Sequence, residues 1–124
     1  MTSALELINH GSNLLKEKNI STYRLDSEIL LSKVLNTSRE SILINLNKNI
    51  DKIVIKKYEK LIDRRTKKEP VAYILEEKEF WSKKFNVNRF TLIPRPETEL
   101  LVGKLLNLYR EKKISILDIG TGSG

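Results

Sequence analysis

The sequence predicts a mainly α-helical fold, in which an N-terminal helical bundle is followed by a β-hairpin connector and then by the first helix and strand of a truncated Rossmann-like α/β domain. Three observations support this prediction. Residues 1–69 carry apolar side chains at helical spacing. After Pro70, two short aromatic runs flank a Ser-Lys-Lys turn, which is typical of a β-hairpin. An apolar, β-branched run then leads into three alternating glycines.

The composition fits a folded domain without metal or disulfide chemistry. The 124 residues include 40% hydrophobic and 31% charged side chains, no cysteine and one histidine, His10. The lack of cysteine excludes disulfides and thiolate ligands, and a single histidine argues against a histidine metal site or a histidine-dependent triad. No apolar run approaches the roughly 18 residues of a membrane span, and the N-terminus lacks a signal-peptide pattern. We therefore expect a cytoplasmic protein that binds neither metal nor membrane.

Four helices are predicted before Pro70, each from an apolar stripe and a capping residue. They cover residues 3–18, 21–35, 37 to about 46, and 49 or 51 to about 67. Thr37 and Glu40 have the spacing of a capping box, and Asn36 suits the left-handed position that ends a helix. Gly11 interrupts the first helix, which costs about 1 kcal/mol relative to Ala unless close packing requires a small residue.

The fourth predicted helix has a strongly basic face. Between Lys48 and Lys68, nine Lys and Arg residues stand against three acids, so most of the net charge of +7 lies here. The basic residues spaced by four include Lys52, Lys56, Lys60 and Arg64. One interpretation is a solvated helix face. The other is a docking face for an acidic partner, either a protein or a nucleic acid.

A proline-rich arm joins the predicted hairpin to the last helix. In Leu92-Ile-Pro-Arg-Pro-Glu-Thr-Glu99, two prolines flank Arg95 and keep the backbone stiff and extended. Glu97 and Glu99 are expected to begin the helix, because acids suit the positive end of a helix dipole. Lys112-Lys113 is expected to close it.

The apolar run Ile114–Ile119 predicts a buried strand that ends in the glycine loop Gly120-Thr121-Gly122-Ser123-Gly124. Such a loop lets the backbone approach a ligand at the carboxyl end of a strand. A P-loop needs Gly-Lys-Ser/Thr, which is not seen, and a dinucleotide fingerprint needs a glycine at position 125. Asp118 followed by Gly-x-Gly-x-Gly fits a methyltransferase loop better, with the backbone against the amino-acid end of S-adenosylmethionine. A glycine-rich turn without a ligand is the alternative.

Four motifs in this order closely resemble bacterial release-factor glutamine methyltransferases. They are Pro70-Val-Ala-Tyr-Ile74, the Glu79-Phe80 hairpin, the arm Leu92–Glu99, and Ile116-Leu-Asp-Ile-Gly-Thr-Gly-Ser-Gly124. In the helical part, Leu25-Asp-Ser-Glu-Ile-Leu-Leu31 and Ser38-Arg39 are similar to that family's N-terminal domain. The chain departs from the family at Glu76, where members often carry Gly.

The resemblance implies methyl transfer from S-adenosylmethionine to the side-chain amide of the glutamine in the Gly-Gly-Gln motif of class-1 release factors. It implies a helical substrate-recognition domain at 1–72, the hairpin connector at 73–94 and the start of the methyltransferase domain at 95–124. The glycine loop, residues 120–124, would contact the cofactor. Arg95, Glu97 and Thr98 would lie near the active site. The helical domain would help to hold the release factor, which would make the basic helix face its docking surface.

The family's Asn-Pro-Pro-Tyr motif, which clamps the substrate amide, does not occur in these 124 residues. We therefore expect no catalytic residue within them, no methyl transfer by them alone, and weak or no binding of S-adenosylmethionine. Because Ile114–Ile119 has no neighbouring strand in the sequence, we expect this tail to be disordered or packed on another surface. The alternative function is a basic helical docking module that binds a release factor or RNA without catalysis.

Overall fold

The computed structural model describes residues 2–124 and divides the chain into two compact units, one ending at Leu75 and the other beginning at Glu76. Within the described residues, the first unit contains five helices and two short strands, and the second contains a β-hairpin and one helix. The predicted fold class, mainly helical with a small β element before the last helix, is therefore confirmed.

The first unit, called the helical unit below, is built on three long helices. Its elements are β1 Thr2–Ser3, α1 Ala4–Glu17, α2 Tyr23–Leu35, α3 Arg39–Ile44, β2 Asn49–Ile50, α4 Lys52–Thr66 and α5 Val71–Leu75. The strands β1 and β2 pair antiparallel, with Thr2 opposite Ile50, and so join the start of α1 to the start of α4. The sequence does not predict this pair, because two residues are too few to show a strand alternation.

Capping interactions set the ends of three helices at or next to the residues that the sequence indicates. The Ser3 hydroxyl accepts a hydrogen bond from the Glu6 N–H at 3.2 Å, and the Glu6 carboxylate accepts one from the Ser3 N–H at 2.7 Å. The Asp51 carboxylate accepts one from the Ile53 N–H at 2.7 Å and starts α4. Asn36 ends α2 in the left-handed conformation, with φ at 49°.

Two predicted helix caps are wrong by one residue. The second helix has Thr22 and not Ser21 as its N-cap, and it begins at Tyr23. The third is capped by Ser38, whose hydroxyl accepts a hydrogen bond from the Ser41 N–H at 3.2 Å, and not by Thr37. Ser38 and Thr37 both have a hydroxyl that can cap a helix, so the sequence does not show which of the two takes the extended backbone conformation. Thr22 forms no side-chain capping hydrogen bond, so no capping preference marks the start of α2.

The core of the helical unit forms where α1, α2 and α4 pack together. Its buried apolar members are Ala4, Leu7, Ile8, Leu15, Ile20, Leu30, Leu31, Ile42, Ile50, Tyr58, Ile62 and Ile74. The Tyr58 hydroxyl lies 2.6 Å from Ser27 Oγ and 3.2 Å from the Leu7 carbonyl oxygen. Ser27 Oγ also donates to the Ile8 carbonyl at 2.9 Å, so the single hydroxyl proton of Tyr58 is shared between Ser27 Oγ and the Leu7 carbonyl oxygen.

Gly11 lies where α1 packs against Tyr58 of α4. A Cβ at this position would overlap the Tyr58 hydroxyl, and it would lie 2.9 Å from Ser27 Oγ and 3.0 Å from Ile62 Cδ1. A glycine inside α1 was expected only if close packing required a small residue there, and the structure shows such packing at Gly11. The glycine therefore allows α1 to approach α4.

Two buried carboxylates of α2 bind the other helices. Asp26 pairs with Arg65 of α4 at 2.8 Å. Glu28 accepts from Arg24 Nε at 3.2 Å and from Arg39 Nε of α3 at 2.7 Å. Acidic side chains are rarely buried without a partner, because an unpaired buried charge is strongly destabilising. These pairs therefore fix the position of α3 and α4 against α2.

The second unit, called the hairpin unit below, contains β3 Glu77–Phe80, β4 Lys83–Asn86 and α6 Pro96–Tyr109. The strands are antiparallel with Phe80 opposite Lys83, so the turn is Trp81-Ser82 and not the predicted Ser82-Lys83-Lys84. The predicted end of the last helix at Lys112-Lys113 is also wrong, because α6 ends at Tyr109.

The predicted strand Ile114–Ile119 is not formed. Its side chains are largely exposed, with Ile116 at 74% and Ile119 at 87%. A parallel strand needs a neighbour for its backbone hydrogen bonds, and among residues 2–124 no strand pairs with this segment. Helix α6 and an unpaired apolar segment therefore represent the start of the α/β region here.

Candidate functional site

The glycine loop, residues 120–124, has a backbone conformation that few other residues adopt. Gly120, Gly122 and Gly124 have φ values of 82°, 68° and 102°. A Cβ added to any of them would meet no atom within 4 Å. Backbone conformation rather than crowding therefore explains the glycines. An open loop of this kind permits a ligand to approach the main chain closely.

Three arm residues lie together at the start of α6. Arg95 is the N-cap, with an extended backbone at φ −88° and ψ 138°, and Pro96 is the first helical residue. The Thr98 N–H donates to the Arg95 carbonyl at 3.1 Å. The side chains of Arg95, Glu97 and Thr98 are all exposed. The structure thus presents these three candidates from one helical turn.

Glu99 forms a hydrogen bond that the sequence does not predict. Its carboxylate accepts a hydrogen bond from the Trp81 N–H at the hairpin turn, at 2.7 Å. The indole of Trp81 lies close to Gly103, one turn further along α6. The only sequence signal for this contact is the four-residue spacing of Glu99 and Gly103 on a helix that follows the single tryptophan.

The basic face of α4 divides into solvated and paired residues. Lys52, Lys56 and Lys60 are exposed, and among the described residues no carboxylate lies within 4.0 Å of their amino groups. Arg64 instead holds the Glu69 carboxylate with two hydrogen bonds, from Nε at 2.8 Å and from Nη2 at 2.6 Å. These bonds keep the pKa of Glu69 below its ordinary value.

Throughout the helical unit, the arginines are paired with carboxylates in the way that Arg64 is. All four of its arginines form ion pairs: Arg24, Arg39, Arg64 and Arg65. A guanidinium group suits such fixed pairs, whereas a lysine ammonium is a mobile, strongly hydrated charge. The part of the predicted docking face that is open to a partner is therefore the row Lys52, Lys56 and Lys60, while Glu69 engages Arg64.

The described part of the chain has neither a cluster of metal-binding side chains nor a membrane-spanning helix. Within residues 2–124, no three His, Cys, Asp or Glu side chains lie together so as to hold a metal ion. The described helices include none that is long and apolar enough to cross a membrane. His10 is an exposed residue of α1.

Comparison with known proteins relates both units to one family. Residues 6–75 match the family described as the PrmC N-terminal domain. A release factor glutamine methyltransferase of Haemophilus influenzae is 44% identical over 119 residues, which cover 91% of this chain and 41% of the relative. Enzymes of the same name from Buchnera aphidicola and Leptospira interrogans are 48% and 40% identical, covering 82% and 98% of this chain and 37% and 43% of their own lengths. The chain thus spans about two fifths of the length of these three relatives.

Proposed function

The chain belongs to the PrmC N-terminal domain family, and on that premise we propose that it is the front part of a methyltransferase that modifies translation release factors. One observation carries the proposal. The likeness to proteins named release factor glutamine methyltransferase is not confined to residues 6–75, since it covers 91% of the chain in one relative and 98% in another. It therefore includes most of the hairpin unit.

The proposed reaction transfers a methyl group to the side-chain amide nitrogen of the glutamine in a Gly-Gly-Gln motif of a class-1 release factor. When bound, S-adenosylmethionine would supply an electrophilic methyl group on its sulfonium sulfur. The carbon–sulfur bond would break as the carbon–nitrogen bond forms, S-adenosylhomocysteine would leave, and the amide nitrogen would lose a proton. An amide nitrogen is a weak nucleophile, because its lone pair is delocalised into the carbonyl. An enzyme must therefore hold this nitrogen in line and polarise the amide with fixed hydrogen bonds. Residues 1–124 supply no complete set of such groups, so we expect no methyl transfer by them alone.

The glycine loop, residues 120–124, is the proposed contact for the amino-acid end of the cofactor. Its left-handed glycines and its open surface support this assignment. Arg95, Glu97 and Thr98 are proposed to face the active site from the first turn of α6. Because the strand before the loop is unpaired, we expect the 124 residues to bind S-adenosylmethionine weakly or not at all.

Recognition of the release factor is assigned to the helical unit, through the row Lys52, Lys56 and Lys60. Three ammonium groups at successive turns of one helix, without carboxylate partners, support an acidic partner on this face. The predicted domain limits, 1–72, 73–94 and 95–124, stay part of the proposal; the observed division falls after Leu75.

The experiment is a titration of the 124-residue chain against a purified class-1 release factor at low and at moderate salt. Reversal of the row, as Lys52→Glu, Lys56→Glu and Lys60→Glu together, is expected to weaken binding about tenfold or more. A control with the same change of net charge is Lys104→Glu, Lys112→Glu and Lys113→Glu on exposed positions of the hairpin unit. Equal affinity of both variants and the unaltered chain would mean that the row is only a solvated face.

A second candidate function, RNA binding without catalysis, is favoured by the same unpaired lysines. Phosphate contacts release counterions, so the logarithm of the affinity for RNA should fall steeply and linearly with the logarithm of the salt concentration. Saturable binding of a release factor that survives moderate salt, with weak RNA binding, would support the methyltransferase assignment. The opposite pattern would support the docking module.

A further inference from the structure

The hairpin turn of the second unit contacts one face of α6 at two points. Glu99 Oε1 accepts a hydrogen bond from the Trp81 N–H at 2.7 Å. The Trp81 indole lies over Gly103, with ring carbons 3.5 and 3.8 Å from the place that a Cβ of Gly103 would occupy. Residues four apart on a helix are neighbours on one face, so Glu99 and Gly103 together form a single contact surface for the turn.

This turn is one that its own sequence does not favour. Trp81 and Ser82 have φ values of 51° and 55°. Two positive φ values at the centre of a two-residue hairpin turn are typical of Asn-Gly, because other side chains strain the left-handed backbone. The strands beside the turn have four residues each, none of them buried. Their own side-chain contacts are the Phe80–Phe85 ring pair, with centroids 6.1 Å apart, and the ion pair of Lys84 with Glu77 at 3.1 Å. A short two-stranded hairpin is marginally stable by itself, so the contacts with α6 add to these interactions in offsetting the strain.

We propose that Glu99 and Gly103 form an anchor for the Trp81 turn and that Glu99 is a positioning residue for the arm. Glu99 follows Arg95, Glu97 and Thr98 in the first turn of α6. A free first turn of a helix frays, and a bond from Glu99 to the hairpin holds this turn in one orientation. The side chains of Arg95, Glu97 and Thr98 then keep a fixed orientation. The value of this for catalysis rests on the proposed methyltransferase function.

The 124-residue chain contains a single tryptophan, so its fluorescence reports on the anchor. Glu99→Ala is expected to shift the emission to longer wavelength and to lower the hydrogen-exchange protection of the Trp81 amide roughly three- to tenfold. Glu99→Gln retains an acceptor oxygen and is expected to restore most of that protection. Glu97→Ala, in the same helical turn, is the matched control and should change neither signal.

Substitutions at Gly103 test the second contact. Gly103→Ala should leave the emission unchanged, because its Cβ would be in ordinary van der Waals contact with the ring. Gly103→Leu should displace the indole and give the same shift of the emission as Glu99→Ala. Helical content from circular dichroism should fall by no more than the first turn of α6 in any of these variants, which separates loss of the anchor from unfolding of α6.

The positioning role is tested by the amide resonances of Glu97 and Thr98. They are expected to shift in Gly103→Leu, although position 103 is more than a turn away, because release of Trp81 frees the first turn. Unchanged resonances in that variant would overturn the positioning role. Emission and protection in Glu99→Ala equal to those of the unaltered chain, or an equal effect of Glu97→Ala, would overturn the anchor.

These measurements need neither cofactor nor release factor. If they give the contradicting results, the proposed anchor is rejected and the methyltransferase proposal is unaffected. If instead the release-factor titration fails, the fluorescence and exchange results still decide the anchor.

Discussion

Tyr58 is the residue at which the three long helices of the helical unit meet. Its hydroxyl joins α4 to Ser27 of α2 and to the Leu7 carbonyl of α1, and its side chain is fully buried. Tyr58→Phe is expected to lower the free energy of unfolding by about 1–2 kcal/mol, because it leaves buried acceptors without their donor. Urea unfolding measures this change. Tyr23→Phe, at a half-buried position, should cost less than about 0.5 kcal/mol; equal losses would contradict the prediction.

The same hydroxyl makes the helical unit sensitive to alkaline pH. Burial raises the pKa of Tyr58 from 10.0 to about 12, and the hydrogen bond with Ser27 opposes this rise in part. The folded state therefore favours the neutral phenol, so the contribution of Tyr58 is complete below pH 10 and is lost as the pH rises to about 12. Over this pH range the free energy of unfolding should fall by roughly 2–3 kcal/mol more in the unaltered chain than in Tyr58→Phe. The comparison cancels the titration of lysines, which both proteins share.

Glu76 has a backbone conformation that glycine adopts more easily. Its φ is 59°, and its carbonyl accepts a hydrogen bond from the Val87 N–H at 3.2 Å, so the closed hairpin fixes this conformation. Glu76→Gly is expected to stabilise the hairpin unit by about 1 kcal/mol, measured by urea unfolding with Trp81 fluorescence. Glu77→Gly, one residue later in β3, should destabilise it, because no left-handed strain is relieved there.

The crossing of α1 and α4 is the element-scale feature that most depends on one small residue. Gly11→Ala would raise the helix propensity of α1 by about 1 kcal/mol. The added Cβ nevertheless overlaps the Tyr58 hydroxyl, so we expect a net destabilisation of about 1–3 kcal/mol in urea unfolding followed by circular dichroism.

A double variant locates the cause of that loss. Tyr58→Phe removes the nearest of the three atoms that the new Cβ meets, while Ser27 Oγ and Ile62 Cδ1 remain, so Gly11→Ala should cost less in the Tyr58→Phe background than alone. Additive losses would show that the overlap is not between these two residues. A gain of stability from Gly11→Ala alone would show that α1 does not pack so closely.

How well each element was predicted from sequence depends on how local its determinants are. The apolar stripes of α1 and α4 and the capping residues Ser3 and Asp51 act within a few residues, and these helices were predicted to within one or two residues. The segment Ile114–Ile119 has the composition of a strand, but a strand forms only with a neighbour, which no local pattern contains.

The candidate site shows the same limit. The left-handed glycines of the loop were indicated by their own sequence, since few other residues adopt that conformation. The pairing of Arg64 with Glu69 was not, because it closes around the end of α4 across Lys67 and Lys68. The contact of Glu99 with Trp81 spans 18 residues and follows from tertiary packing alone. Local motifs thus predict which residues are candidates for binding, whereas ion pairs and long-range hydrogen bonds depend on the fold.

At the scale of the whole molecule, buried apolar side chains are distributed very unequally between the two units. Twelve of those in the described residues lie in the helical unit, and only Val87 lies in the hairpin unit. Helix α6 has no buried residue at all. Since burial of apolar surface is the main source of stability, the helical unit should be much the more stable of the two.

This distribution predicts two separate unfolding transitions in one chain. Fluorescence of Trp81 reports only on the hairpin unit, whereas most of the helical circular dichroism comes from the helical unit. In a urea titration the fluorescence midpoint should therefore lie below the circular-dichroism midpoint, and Tyr58→Phe should move only the latter. Residues 1–75 alone should retain a cooperative transition, because their core is formed by their own side chains. Coincident midpoints that shift together in Tyr58→Phe would instead mean that both units unfold as one cooperative body.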